Sequence, residues 1–106
     1  DIGFQNGTDL AYIRNNTNDT YYRLLSSDGS TNGAADFSVA EDNNAHTGKI
    51  ECKSSSMDGY LDGVLHGTIT GSGLPNATGL EPWIKCTHNA SAAATTNVRY
   101  YEAFNT

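Results

Sequence analysis

The side chains with most chemistry to offer are thinly spread: Cys52 and Cys86, His46, His66 and His88, and an oxygen-rich run that starts at Asp28. Within Asp28-Gly-Ser30-Thr-Asn32-Gly33, oxygen ligands stand at the first, third and fifth places and glycine at the sixth. A tight loop around calcium needs that order. The twelfth place, where a bidentate glutamate would close the site, is Val39, and the flanks lack helical character. Asp28, Ser30 and Asn32, with Asp36 further on, are the one calcium candidate, and an ordinary turn is the favoured reading. None of the histidines stands at metal-ligand spacing from another, and His88, two residues after Cys86, follows a sulfur that a disulfide would occupy. Asp62 and His66 fall on one face if the segment is a strand, without forming a diagnostic pair.

Catalytic constellations are not found. No Gly-x-Ser-x-Gly elbow occurs, and the carboxylate pairs Glu41–Asp42 and Glu51–Glu102 are unspecific. Gly71-Ser-Gly73 lacks the lysine of a phosphate loop. The expectation is a protein without catalytic centre, cofactor or required metal. The aromatic residues Tyr21, Tyr22, Tyr60, Trp83, Tyr100 and Tyr101 suggest a sugar-stacking surface, but each Tyr-Tyr pair puts one ring inward on a strand. Trp83, between Pro82 and Cys86, reads better as packing against a disulfide.

Modification chemistry gives a clearer signal. Asn6-Gly-Thr8, Asn15-Asn-Thr17, Asn18-Asp-Thr20, Asn76-Ala-Thr78 and Asn89-Ala-Ser91 are acceptors for N-linked glycan, an enrichment over what this composition gives by chance. Such acceptors belong on the surface of a secreted chain. In an oxidising compartment Cys52 and Cys86 are expected to pair, closing a loop of about 35 residues and stabilising by about 3–4 kcal/mol. The chain starts at Asp1 with no basic-plus-apolar leader, so a signal peptide is expected to have been removed.

Charge narrows the partners. Six basic residues against twelve acidic ones give a net charge of −6, without the Lys/Arg cluster that nucleic acid or an anionic membrane requires. No apolar run approaches the roughly 20 residues of a bilayer span.

The elements that must position these groups read as strands. Gly, Ser, Thr and Asn are abundant and a helical period is hard to find. Alternation marks Ile2–Phe4, Leu10–Ile13, Tyr21–Leu25, Phe37–Val39, Ile50–Cys52, Trp83–His88 and Val98–Phe104, with Ser26–Gly33 a turn cluster and Gly71–Pro82 a surface crossover. Cys52 is expected to point inward with Ile50, and Ala90–Ala94 to make at most a helical turn. Gly59, Gly63, Gly67 and Gly71 recur every four residues, which on one long, bent strand would share a face with Leu61, Leu65 and Ile69. Such a face could receive bulky aromatics or another backbone. The fold class is all-β: residues 1–106 as one domain, a small sandwich or barrel of about seven to nine short strands with one disulfide.

The functional expectation is a non-enzymatic, secreted glycoprotein acting as a structural or assembly module of a surface or filament. Its partner is itself or another extracellular protein. Residues 1–8, with Ile2 and Phe4, are the expected connector strand, donated to a groove formed by Leu61, Gly63, Leu65 and Gly67. A small secreted effector and a carbohydrate-binding module are the alternatives.

Overall fold

A computed structural model describes residues 2–15, 20–42, 44–76 and 81–84. They form eight strands: β1 (Ile2–Asn6), β2 (Asp9–Arg14), β3 (Tyr21–Asp28), β4 (Asn32–Ala40), β5 (Gly48–Cys52), β6 (Ser56–Leu61), β7 (Val64–Thr70) and β8 (Glu81–Ile84). All pairings are antiparallel, in one sheet ordered β4-β3-β2-β1-β8 and another ordered β5-β6-β7. The two sheets face each other as a sandwich-like pair. Among the described residues there is no helix, and so none long and apolar enough to cross a membrane.

Tight turns set most of the registers. Gly7-Thr8 joins β1 to β2, with Gly7 at φ 60°. Asp62-Gly63 joins β6 to β7, with both residues at positive φ (53° and 83°), the type I′ geometry that matches the twist of a hairpin. The sequence reading of 59–71 as one long strand is therefore corrected: it is a hairpin. Gly63 and Gly71 occupy positive-φ turn and bend positions, while Gly59 and Gly67 lie opposite each other in the sheet. Register shifts between Gly59 and Tyr60, which leaves His66 as an extra residue on β7. That bulge turns Leu65 to pair with Tyr60, away from the face of Leu61.

The Ser26–Gly33 turn cluster is shorter than expected. β3 continues to Asp28, and Ser26 turns inward opposite Gly33, with its hydroxyl buried. Pro82, assigned from sequence to the crossover, sits in β8 at the sheet edge, where a missing N–H costs no ladder bond on the outer side.

The core lies between β2–β4 and the small sheet. Ala11, Tyr22, Leu24, Phe37, Met57, Leu61 and Ile69 are buried, with Ile13, Ala35, Val39, Ile50 and Leu74 packed against them. Tyr22 points in and Tyr21 out, as strand alternation requires. Phe37 fills the notch left by the paired glycines. A Cβ on Gly59 would stand 2.6 Å from the Phe37 ring, and one on Gly67 would stand 3.1 Å from it. The glycine face does receive a bulky aromatic, and the aromatic comes from the facing sheet of the same chain.

Candidate functional site: the two ends of the sandwich

Antiparallel pairing gathers the connections at two ends. One end carries the turns Gly7-Thr8, Gly29-Ser30 and Ser54-Ser55, together with residues 71–76. The other carries the connections leaving Arg14 and Ala40 and the Asp62-Gly63 turn. They are called here the Asp28 end and the His46 end.

At the Asp28 end, Asp28 Oδ1 accepts the backbone N–H of Ser30 (2.9 Å), that of Thr31 (2.7 Å) and the Ser30 hydroxyl (3.2 Å). These donors stabilise the carboxylate and lower its pKa. Asp36 lies on β4, where its carboxylate takes the Arg23 guanidinium at 2.7 Å. Asp28 and Ser30 come together as a side-chain-capped hairpin turn, Asn32 begins β4, and Asp36 is committed across the sheet. Beside this turn an open groove of about 340 Å³ has Asp28, Lys53, Ser54 and Asn76 in its lining together with the apolar Leu74 and Pro75. Lys53 Nζ bridges to Asp58 at 2.8 Å, and Asp58 also accepts the Thr68 hydroxyl at 2.7 Å.

The His46 end is organised by charge. His46 Nδ1 lies 2.6 Å from Asp62 Oδ2, and its Nε2 lies 2.7 Å from Asp42 Oδ1. Asp62 Oδ1 accepts the Thr47 N–H at 2.9 Å, and the Asp62 N–H returns a bond to the Thr47 carbonyl at 2.8 Å. The Asn44 N–H donates to Asp42 at 2.9 Å. Tyr22 rises from the core beneath this network, its hydroxyl 3.4 Å from Asp42 and its ring edge-on to the imidazole at 5.4 Å between centroids. The bonds to Asp62 and then Asp42 raise the His46 pKa, and His46 in turn lowers both carboxyl pKa values. Burial raises the Tyr22 pKa. Sequence reading had placed Asp62 with His66. The bulge sends His66 to Phe37, at a ring separation of 5.8 Å, and the hairpin turn delivers Asp62 to His46.

The residues expected to form an assembly groove do not share one surface. Leu61 is buried, Gly67 faces Phe37, Gly63 is in the turn and Leu65 is exposed. β1 is hydrogen-bonded on both sides, to β2 and to β8, and none of its side chains is among the buried hydrophobics of the described residues. Tertiary placement does create a different pattern. The exposed large hydrophobics of the described residues are Ile2 (37%), Tyr21 (43%), Val64 (56%) and Leu65 (50%). Each lies in the part of its strand nearest the His46 end.

The described glycan acceptors Asn6, Asn15 and Asn76 are exposed, while Asn18 and Asn89 lie outside the described residues. Asn6 and Asn76 belong to the Asp28 end, where the Asn76 N–H donates to Asp9 at 3.0 Å, and Asn15 follows β2 at the His46 end. Cys52 lies on the face of Ile50, opposite the buried Met57, yet is exposed. Ile50 packs on the core, but Cys52 is the last residue of an edge strand. Cys86 lies outside the described residues. Two surface tyrosines have a ring face already occupied by a cation: Lys49 stands 4.7 Å from the Tyr60 centroid and Arg14 5.5 Å from that of Tyr12.

The His46 network is the feature that sequence reading missed. Its local signals are Asp42 four residues before His46 and the Asp62-Gly63 dipeptide, and neither shows that the two segments meet. Among the described residues no group of three His, Cys, Asp or Glu side chains is arranged to hold a metal ion. Comparison with protein-family models, curated proteins and solved structures gives no match for this chain.

Proposed function

We propose that this chain is a non-catalytic extracellular glycoprotein domain that works by protein contact, as an assembly module binding a second copy of itself through the His46 end. The observation that carries the reading is that the exposed large hydrophobics of the described residues, Ile2, Tyr21, Val64 and Leu65, all lie toward that end of their strands. Exposed apolar side chains collected in one region mark interaction surfaces. A second copy offers the same apolar end, the condition for a self-complementary interface. Docking of formed surfaces is favoured over donation of β1, because a donated β1 would have to leave strand partners on both sides. The secreted setting rests on the exposed acceptors Asn6, Asn15 and Asn76, and it brings with it the Cys52–Cys86 disulfide.

Sedimentation of the glycosylated chain over a range of concentrations tests the reading. Reversible association is expected, weakened by the double substitution Val64→Ser and Leu65→Ser. Asn15→Gln, which removes a glycan from the same end, is expected to strengthen it. A monomer at every concentration, with or without the Asn15 glycan, overturns self-assembly and leaves the small effector as the leading alternative.

A further inference from the structure

We infer that His46 is a pH-operated latch, holding Asp42 and Thr47 to the β6–β7 turn in mildly acidic solution and releasing them as the solution becomes alkaline. The inference does not depend on self-association.

The geometry supplies the argument. Both ring nitrogens face carboxylate oxygens, at 2.6 and 2.7 Å, from two separate parts of the chain. A carboxylate without its proton only accepts, so a ring nitrogen bonded to it must carry hydrogen. Only the doubly protonated imidazolium satisfies both contacts at once. Loss of either proton turns a ring lone pair toward a carboxylate, replacing an attraction by a repulsion. The carboxylates are themselves positioned by other donors, Asp62 by the Thr47 N–H and Asp42 by the Asn44 N–H, so they do not swing away freely.

The surrounding groups reinforce the charge requirement. The segment 41–47 presents Glu41 and Asp42, the hairpin turn presents Asp62, and β3 presents the Tyr22 ring and hydroxyl. Glu41 and Asp42 disfavour ionisation of Tyr22, and the two aspartates favour a cationic His46. The Tyr22 ring edge packs against the imidazole, so release uncovers one side of a core residue.

The sign follows from linkage. His46 has its pKa raised in the folded chain, so its contribution is complete below the unfolded value of about 6.5 and is lost as pH rises through the folded value. Asp42 and Asp62 have theirs lowered, so their contribution is present above about 3.9 and is lost as pH falls through their folded values. The latch is closed between those limits. The Asp28 turn has no such alkaline limit: Asp28 holds backbone N–H groups, which do not titrate there.

The test is an NMR titration of the His46 ring in the intact chain, run with hydrogen exchange at the Thr47 and Asp62 amides. The His46 midpoint is expected above about 6.5. Asp62→Asn and Asp42→Asn are each expected to lower it, because each removes one anionic acceptor. Crossing the midpoint from below should reduce protection of the Thr47 and Asp62 amides relative to the Thr31 amide. A midpoint at or below the ordinary histidine value, or one that neither substitution moves, overturns the latch. Protection that falls equally at Thr31 overturns it too, because the change would then be global.

Discussion

The two ends of this sandwich solve one problem with different chemistry. Each must secure the connections between strands without a hydrophobic core of its own. The Asp28 end uses one carboxylate to collect N–H groups from its own turn, all within three residues. The His46 end uses a cation to join carboxylates four residues before it and sixteen after it. The first solution is local and depends only on a carboxylate staying ionised. The second is non-local and depends on three groups holding the right charge together. The difference teaches where pH acts on this fold, since the Asp28 cap yields only to acid and the His46 network yields on both sides.

The largest expected effect removes what the ends share. Phe37→Ala empties the notch between Gly59 and Gly67 and should cost about 3–5 kcal/mol. Because that ring sits mid-sandwich, chemical denaturation followed at both ends should show one coincident, earlier transition. Two separated transitions would mean that the ends are independent units, and the comparison would break at its root.

A smaller effect sharpens it. Gly7 and Gly63 both have positive φ, and a Cβ at either would meet nothing within 4 Å. Alanine there adds backbone strain alone, about 1–2 kcal/mol in the left-handed region. The two substitutions should lower stability similarly in denaturation, but only Gly63→Ala should lower the His46 titration midpoint, since Gly63 follows Asp62. Equal effects on that midpoint would show that the ends are coupled through the sheets.

The smallest effect is expected from ions at the Asp28 end. Asp28→Asn should weaken the turn above the acid range and flatten the acid side of the stability profile, because the lowered Asp28 pKa makes its contribution disappear as pH falls. Millimolar calcium should leave the thermal midpoint of the unsubstituted chain where it was, since Asp28 is occupied by its turn and Asp36 by Arg23. A calcium-dependent rise abolished by Asp28→Asn would restore the cation loop.

Much of the scaffold was legible in the residues. Period-two alternation marked β1 to β5 and put Ile50 inward, where it packs on the core, while of the four recurring glycines only Gly59 and Gly67 line a face that takes an aromatic. The reading failed where a turn interrupted a pattern that looked continuous. Asp62-Gly63 is itself a strong hairpin signal. Leu61 and Leu65 keep the alternation in phase across it, so by pattern alone it reads as part of a longer strand. The His66 bulge then changed which residues share a face, and no single-strand argument contains a bulge on the neighbouring register.

Local chemistry, then, settled what depends on the chain's own neighbourhood: the all-β class, the inward place of Ile50, and the exposure of Asn6, Asn15 and Asn76, because strand parity and turn residues act over a few positions. Only tertiary structure decided that Phe37 fills the glycine notch, that β1 is enclosed by β2 and β8, and that His46 stands between Asp42 and Asp62. Those outcomes depend on distances between segments far apart in sequence. Such distances are fixed by sheet register and by the sheets packing face to face, quantities that no local pattern of residues encodes.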